Sequence, residues 1–397
     1  MTTLGIDIAK YKHNASLLDD NGQVVFNNLK FSNDDAGLAK LLTRIEASGQ
    51  KPAEITVGME ATGHYWILLF QHLSQQGFDV QLINPLVTRA RRNIGIRGSK
   101  TDGLDSMLIA RLLRETGLKK SALPETEVSE LRTLTRLRYE LMQETVAQKL
   151  KLTSLLDVVF PEYKDHFADI FGNASRELLE HFPTADQLAR VDIRRLTSLL
   201  SKASRGRMGR EKAESLKRAA KQSFACNQTN RNLVLQIRMI VERLNLTLSQ
   251  IKELDRETAG YFPELQRLLN TIPGIGKVWA PTILAEILPV FNPHRSNGGS
   301  AFVAMAGIDP RSNDTGEKTG KARMSKRGSK YLRTALMQAA VAAASVSKDP
   351  MFRAVYEKQR AKNKPHIVAV SHVANKLCQV IFAVLKNEKT YEPHTIK

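Results

Sequence analysis

Four acids within the first 105 positions are the residues of this sequence best suited to chemistry. Asp7 lies in an apolar, strand-like run and Glu60 ends a second one, while Asp102 and Asp105 stand three apart at the head of a helical pattern and share one face. A carboxylate in apolar surroundings is costly to bury unless a cation pairs with it. Converging carboxylates without matching basic residues favour Mg²⁺ or Mn²⁺, which take hard oxygen ligands. The four acids therefore predict metal-dependent chemistry on phosphate.

Each acid also has a simpler interpretation. Isolated Asp and Glu residues usually face solvent, and Asp102 is suited to cap the helix that it begins. Four acids in this order on these elements favour the metal site. Two ions bridged by such acids lie roughly 4 Å apart, where they activate a nucleophile and stabilise the leaving oxygen.

The charge balance points to an anionic partner. The 397 residues include 59 Lys and Arg against 40 Asp and Glu, a formal net charge of +19 that is spread along the chain. A field of this sign suits nucleic acid first and an anionic membrane surface second. No apolar run reaches the roughly 18 residues of a membrane span, so we expect no membrane association.

The cysteines and the N-terminus favour a reducing cytoplasm. Cys226 and Cys378 are far apart and neither belongs to a CxxC motif, so we expect no disulfide and no cysteine zinc site. The N-terminus has neither the basic region nor the apolar core of a signal peptide.

Residues 1–120 predict an α/β domain. The pattern is a three-stranded meander followed by helix, strand, helix, strand and helix, which is the order of a ribonuclease H-like, RuvC-like domain. In this order the acids fall on the first strand, the fourth strand and a late helix. Such a sheet brings carboxylates at these places together.

Residues 121–262 predict a helical middle region. Two long leucine-rich stripes with helical spacing suggest a pair of helices in a coiled coil, and packing within one chain and oligomerisation both explain them. Between them, residues 157–225 contain shorter helices and a basic, glycine-containing loop at Ser204–Arg210. The sequence assigns no role to this insertion.

Residues 263–397 predict a mainly α C-terminal domain. Its opening, Ile272–Gly276, resembles the hairpin of a helix-hairpin-helix, in which Gly274 and Gly276 expose amides to a DNA phosphate; an ordinary turn is the alternative. A Gly/Ser-rich loop at Ser296–Ser300 and an apolar strand at Phe302–Ile308 are expected next.

Two basic segments predict contacts with nucleic acid. A solvated surface is the alternative for either segment, although the second stands between apolar elements and suits a phosphate cradle. The predicted contact residues are Arg91, Arg92 and Lys100 before the Asp pair, and Arg311, Arg323, Lys326, Arg327 and Lys330 in the C-terminal domain.

These motifs together resemble the transposases of insertion-sequence family one-hundred-ten. Those transposases are relatives of the Piv DNA invertases and are also called bridge-RNA-guided recombinases. The resemblance covers essentially the whole chain. The segments similar to the family's RuvC-like DEDD domain are Gly5–Lys10, Met59–Gly63, Ile83–Pro85 and Lys100–Asp105. Those similar to its C-terminal transposase domain are Ile272–Gly276, Ala306–Arg311 and Met324–Arg333.

The resemblance implies a DNA recombinase of the bacterial cytoplasm, associated with the nucleoid. The DEDD acids would bind Mg²⁺, and a hydroxyl of the C-terminal domain would attack a DNA phosphodiester to form a covalent protein–DNA intermediate. A structured guide RNA would pair with donor and target double-stranded DNA. The active site would be shared between protomers of a homo-dimer or tetramer.

The sequence departs from the family at the nucleophile. The family places a serine before glycine a few residues after Pro-Arg, and here that position is Thr315. A threonine hydroxyl performs the same chemistry, but its methyl group crowds the attack and restricts its rotamers. We take Thr315 as the nucleophile, with Ser312 and Ser325 as alternatives.

Two other functions compete with recombination. A metal-dependent hydrolytic nuclease or junction resolvase would use the four acids with water as the nucleophile and leave free ends. A non-catalytic nucleic-acid-binding protein, descended from a decayed copy, would explain the threonine. The intact acids argue against decay.

Overall fold

A five-stranded mixed sheet forms the N-terminal unit in the computed structural model of the chain. The structure describes residues 1–60, 64–83, 88, 91, 102–116, 126–225, 231–311, 323–347 and 349–393, with the backbone alone at 102–104, 116 and 311. It divides into two compact units, Met1–Leu123 and Pro124–Lys397. The predicted boundary between a middle region and a C-terminal domain at residue 262 stays a prediction.

The strands of this sheet follow the predicted order. They are β1 (Thr2–Asp7), β2 (Lys12–Leu18), β3 (Val24–Ser32), β4 (Ile55–Glu60) and β5 (Asp79–Ile83), arranged β3-β2-β1-β4-β5. β1 pairs antiparallel with β2 and parallel with β4, and β5 continues the parallel part. The described helices of this unit are α1 (Asp35–Glu46), α2 (Trp66–Gln75), α3 (Asp102–Thr116) and a short 3₁₀ helix, Pro52–Glu54. This arrangement is consistent with a ribonuclease H-like domain.

Helix α3 lies directly on the backbone of the sheet because two register partners are glycines. Gly5 on β1 pairs with Gly58 on β4. A Cβ atom on Gly5 would lie 2.1 Å from the carbonyl oxygen of Ser106, and one on Gly58 would lie 2.7 Å from a methyl group of Leu113. Both glycines therefore serve close approach of helix and sheet.

The second unit is mostly helical. Its described helices are α4 (Thr126–Val159), α5 (Asn173–His181), α6 (Ala185–Arg190), α7 (Ile193–Ser204), α8 (Arg210–Gln222), α9 (Arg231–Thr258), α10 (Pro263–Asn270), α11 (Trp279–Ile287), α12 (Gly298–Ala306), α13 (Lys330–Val341), α14 (Pro350–Arg360) and α15 (His366–Asn387). Shorter elements are the 3₁₀ helices Pro161–His166 and Leu288–Val290, the π-helix Ala342–Val346, and the paired strands β6 (Pro310–Arg311) and β7 (Arg323–Met324).

The long helices α4 and α9 pack against each other in antiparallel directions. Arg138 on α4 forms an ion pair with Asp255 on α9, with Nε and Oδ1 2.5 Å apart. At the other end, Leu156 on α4 shares a buried cluster with Ile237 on α9. Buried residues of α9 recur in steps of three and four at Val234, Ile237, Val241 and Leu244. This spacing is that of a coiled-coil seam, and it is consistent with the predicted pairing.

The predicted strand at Phe302–Ile308 is wrong, because Phe302–Ala306 belong to helix α12 and Gly307 caps its end. Of the predicted loop Ser296–Ser300, the first two residues precede the helix and Gly298–Ser300 form its first turn. A Cβ atom on Gly298 would lie 1.8 Å from the ring of Phe382 on α15. The glycines therefore allow α12 to approach α15 closely, and a strand-like apolar run becomes a buried helix.

Helix α15 corrects the expectation that no segment has the length and apolarity of a membrane span. Within the described part of the chain, this one helix passes both criteria by length and composition. Half of its most apolar stretch is buried within the protein, and Val370, Leu377 and Ile381 belong to the core of the second unit. Its apolar composition is that of a core helix.

The glycine contacts of α3 give a graded stability prediction. We expect Gly5→Ala to destabilise the first unit by about 3 kcal/mol, because the added methyl group meets backbone atoms, and Gly58→Ala by about 1 kcal/mol, because it meets the flexible end of a leucine side chain. Hydrogen exchange of the β1 amides in the full-length protein measures both losses. Equal effects at the two positions would contradict this account of how α3 docks.

Candidate active site

The strand register places Asp7 and Glu60 side by side. Ile6 on β1 pairs with Met59 on β4, so the next position on each strand is an acid. Both acids are the last residues of their strands and both are half-buried. Because the strands are parallel, the two carboxylates leave the sheet at the same carboxyl-terminal edge.

The two acids also point to the same face of the sheet. Side chains alternate between faces with a period of two. Asp7 is two positions beyond Gly5 and Glu60 is two beyond Gly58, and α3 covers both glycines. The carboxylates therefore lie on the side of the sheet that α3 covers.

The direction of α3 places its acidic first turn near the same edge. Its Ser106 side chain forms a buried hydrogen bond of 2.8 Å with Ser16, the register partner of Gly5. At its other end, Arg114 donates hydrogen bonds to the carbonyl oxygens of Met1 and Asp19. The helix thus runs antiparallel to β1, and its first turn, with Asp105, lies toward the carboxyl end of the strand.

Two neighbouring polar groups complete this edge. Thr88 donates a hydrogen bond of 2.9 Å to Glu60. Asn14 is the register partner of Asp7 and is only 6% exposed, and its side-chain oxygen has no hydrogen-bond partner among the described residues. A buried amide oxygen without a donor beside a carboxylate suits a hard cation.

The chemistry of this donor set fits Mg²⁺, which protein sites often hold with one or two carboxylates and water. Asp7 and Glu60 are adjacent, and Asp105, in the first turn of α3, lies toward the same edge of the sheet. Among the described side chains, however, no three His, Cys, Asp or Glu residues form a group able to hold a metal. The side chain of Asp102 lies outside the described residues, so the four-acid site stays a prediction.

The predicted nucleophile lies in the sequence between two short strands that the structure describes; we call this strand pair the β6–β7 hairpin. Strands β6 and β7 pair through Pro310 with Met324 and Arg311 with Arg323. Thr315 and Ser312 lie between these strands, outside the described residues. The base of the hairpin is held firmly, since the carbonyl of Gly307 accepts the amide of Lys326 and that of Met305 accepts the amide of Ser329.

The third candidate hydroxyl, Ser325, is engaged at this base. It donates a hydrogen bond of 2.6 Å to the carboxylate of Asp309, and its amide donates to the Asp309 carbonyl. The contacts join the two sides of the hairpin. They make Ser325 a structural hydroxyl in this arrangement.

Predicted phosphate ligands next to the hairpin face solvent. Arg323, Lys326, Arg327 and Lys330 are all exposed or half-exposed. The ammonium group of Lys330 also lies 4.9 Å from the ring centre of Tyr331. Arg311 belongs to β6, and its side chain lies outside the described residues.

The other predicted ligands differ in their surroundings. Gly274 has φ +85°, and a Cβ atom there would lie 2.1 Å from the carbonyl oxygen of Ala339, so close packing on α13 accounts for this glycine. Gly276 is exposed, with open space beside it. Arg91 forms an exposed ion pair of 2.6 Å with Glu115. Arg92 and Lys100 lie outside the described residues.

A buried charge network fixes the helix that follows the hairpin. Glu286 on α11 is 1% exposed and accepts hydrogen bonds from both Nε and a terminal nitrogen of Arg136 on α4. Arg132 adds a contact of 3.5 Å, and burial lowers the pKa of this guanidinium from its ordinary value. The Arg136 guanidinium lies 4.7 Å from the ring centre of Tyr331 in the first turn of α13. The network therefore ties α13 to α4 and α11.

Sequence reasoning missed several of these residues. Asn14 and Thr88 are single polar residues without a motif, and Asp309 lies in the Ala306–Arg311 motif with no role assigned to it; only the folded chain shows what surrounds them. Glu286 had a weak signal, because it is an acid inside the apolar pattern of α11.

Comparisons with known proteins match two parts of the chain to models of transposase domains. A model of the DEDD transposase domain of IS110 elements matches residues 4–161, and one described as transposase of the IS116/IS110/IS902 family matches residues 266–357. The chain is 26% identical over 394 residues to the insertion element IS116 uncharacterized 44.8 kDa protein of Streptomyces clavuligerus, covering 98% of this chain and 96% of that relative. It is 25% identical over 402 residues to the pilin gene-inverting protein of Moraxella bovis, covering 98% of each.

The buried network predicts that removing one charge, at nearly constant side-chain size, strongly lowers the stability of the protein. We expect Glu286→Gln to lower the free energy of unfolding by about 2–4 kcal/mol, because two guanidinium groups then lose a buried counterion. Thermal unfolding of the full-length protein measures the change. The matched control is Glu264→Gln, whose ion pair with Arg267 is about three-quarters exposed on both sides, and which we expect to leave stability unchanged. Similar values for the two variants would show that the buried network stabilises the fold no more than a surface ion pair does.

Proposed function

Because this chain belongs to the IS110 family of transposases, and is thereby a DNA recombinase, we propose that it cuts and exchanges the DNA strands of an insertion sequence with Mg²⁺-binding carboxylates and a hydroxyl nucleophile. The observation that carries the proposal is the placement of Asp7 and Glu60 at adjacent strand ends, on the face that α3 covers. Two carboxylates on rigid strands are suited to hold a cation in a fixed position.

The acidic edge holds the metal in this proposal. Asp7 and Glu60 provide two carboxylates, and Asp102 and Asp105 provide the remaining two from the first turn of α3. Bound Mg²⁺, or Mn²⁺ in its place, neutralises charge on the reacting phosphodiester. Thr88 orients Glu60 through its hydrogen bond, and Ser106 holds the first turn of α3 against β2.

The hairpin between β6 and β7 supplies the nucleophile. The Thr315 hydroxyl gives up its proton as its oxygen attacks phosphorus, and a phosphoester bond to Thr315 forms. The bond from phosphorus to the sugar oxygen breaks, and that oxygen takes up a proton and leaves as a sugar hydroxyl. Attack by a new strand end reverses the step and rejoins the DNA. Ser312 is the remaining alternative in the hairpin, and Ser325 is less suited because its hydroxyl is committed to Asp309.

Two finer features belong to the same proposal. A structured guide RNA selects donor and target DNA, and the protein works as a homo-dimer or tetramer in which copies share active sites. The basic residues Arg323, Lys326 and Arg327 are exposed beside the hairpin and are suited to phosphate contacts. We place the protein with the DNA of a bacterial cytoplasm, since its named relatives come from bacteria.

The alternative is a metal-dependent nuclease or junction resolvase that uses the same four acids with water. It requires no protein–DNA bond. The products therefore separate the two functions, because hydrolysis leaves free ends whereas recombination passes through an adduct.

A covalent adduct is the first predicted result. Protein, Mg²⁺ and the RNA of its own element are mixed with labelled donor and target DNA, and denaturing gels are run with and without protease. We expect a protease-sensitive adduct that is lost in Thr315→Ala and kept in Ser325→Ala. Adduct retained in Thr315→Ala but lost in Ser312→Ala would move the nucleophile to Ser312. Cleavage without any adduct would favour the nuclease.

Two glutamates, one at the end of β4 and one just before its start, supply a matched test of the acidic edge. We expect Glu60→Gln to lower strand cleavage by roughly 100-fold or more, because the metal contributes several kcal/mol to the transition state. The control is Glu54→Gln, an exposed acid in the 3₁₀ helix that directly precedes β4, and it keeps full activity. DNA binding by both variants stays near that of the unmodified protein. Full cleavage by Glu60→Gln would remove this acid from the site.

A further inference from the structure

The charges of the helical insertion after α4 are strongly segregated. Residues 160–192 contain three basic and seven acidic residues, a net charge of −4, whereas residues 193–222 contain ten basic and two acidic residues, a net charge of +8. The neighbouring long helices do not share this excess, since α4 has five residues of each sign and α9 has five basic against four acidic. A large part of the net charge of +19 thus falls within 30 residues.

These 30 residues form one helical hairpin, α7–turn–α8, which we call the basic hairpin. Its inner face is apolar and buried, with Leu196 and Leu200 of α7 packed in the same cluster as Leu216 of α8. Its turn is tight, because Arg205 ends α7 with φ +56° and Gly206 follows with φ +80°. The core thereby fixes the basic side chains on the outside.

Most of the ten cations are exposed or half-exposed. Those on the outer surface are Arg194, Arg195, Lys202, Arg205, Arg207, Arg210, Arg218 and Lys221. Within residues 193–222, which are all described, one ion pair joins a cation to an acid of the hairpin, Arg210 with Glu214 at 2.8 Å. The hairpin exposes no large apolar side chain between the cations. This composition suits a phosphate backbone rather than the interior of a lipid layer.

The positive charge of the hairpin is not confined to the cleft beside it, since six of the eight exposed cations lie outside the lining of that cleft. The cleft between α5 and α7 has a volume of about 450 Å³ and is lined by Arg195 and Lys202, but also by Glu177. His181 lies 3.7 Å from Glu177 on the same wall. An anion entering the cleft would meet this carboxylate, so the outer ridge of α7 is the better contact surface.

We infer that the basic hairpin is a sequence-nonspecific binding surface for the backbone of duplex DNA. This inference rests on the proposed function, which supplies DNA as the polyanion. The ridge consists of Arg194, Lys202, which also lines the cleft, and the C-cap residue Arg205. It extends over about 17 Å along α7, at 1.5 Å per residue. That length is about half a turn of duplex DNA. Contacts of this kind position DNA without specifying its sequence.

The test compares two triple substitutions that change the net charge equally. One variant carries Arg194→Gln, Lys202→Gln and Arg205→Gln on the ridge. The control carries Arg243→Gln, Lys252→Gln and Arg256→Gln at solvent-facing positions of α9. Binding of the full-length proteins to a random-sequence DNA duplex, and to an RNA duplex of the same length, is measured by fluorescence anisotropy at several salt concentrations. Circular dichroism verifies folding.

The ridge variant is expected to bind DNA more weakly. Its slope of log K against log salt is expected to fall by about 2.7, because each phosphate that a cation no longer neutralises removes about 0.9 from the slope. The control variant keeps the slope of the unmodified protein. Equal reductions in both variants would show that net charge alone matters and would overturn the inference. So would an unchanged slope in the ridge variant, or weaker binding confined to duplex RNA of the same length.

Failure of this inference is distinct from failure of the proposed function. The binding measurement needs no catalysis, and the adduct assay needs no ridge variant. If the unmodified protein forms the adduct while the ridge variant binds DNA normally, the binding surface is wrong and the recombinase stands. If the ridge variant alone binds DNA weakly but the unmodified protein forms no adduct, the surface stands without the proposed chemistry.

Discussion

The direct contact between α3 and the backbone of β1 is the constraint on which the candidate active site depends. Any side chain at Gly5 would meet the Ser106 carbonyl at 2.1 Å and lift the helix from the sheet. Because the helix lies directly on the sheet, the Ser106 hydroxyl is within hydrogen-bond distance of Ser16. The acidic first turn of the helix lies toward the strand ends that carry Asp7 and Glu60. A position with no side chain thus sets the placement of the charged ones.

In the second unit, the strands on either side of the candidate hydroxyl are supported in a related manner. Backbone hydrogen bonds join Gly307 to Lys326 and Met305 to Ser329, and the side chain of Ser325 adds a bond to Asp309. The buried Glu286 network then fixes the first turn of α13, immediately after the hairpin. In the proposed function, both sites follow the rule that reacting groups are placed by elements whose own packing is complete.

Charge is distributed on a different principle from packing. The carboxylates of the candidate active site lie at a half-buried sheet edge, where a cation can be held close to the backbone. The cations face solvent, both beside the β6–β7 hairpin and on the basic hairpin, where phosphates of a long polymer can reach them. In the proposed function, the carboxylates that hold a cation and the cations that attract phosphate therefore belong to different elements of the chain.

Local signals in the sequence were enough to establish the order of elements in the first unit, the two long helices, and the acids Asp7 and Glu60 at strand ends, because apolar periodicity and interrupted apolar runs involve neighbouring residues. Motifs spread over the whole chain also indicated the transposase family. The apolar pattern at Phe302–Ile308 predicts a strand where the chain forms the end of α12, because the contact of Gly298 with α15 is not local. The register that aligns the acids, the role of Gly274 in packing, and the surroundings of Asn14, Thr88 and Glu286 became visible in the folded chain alone. Such contacts join residues far apart in the chain, and no spacing rule connects them.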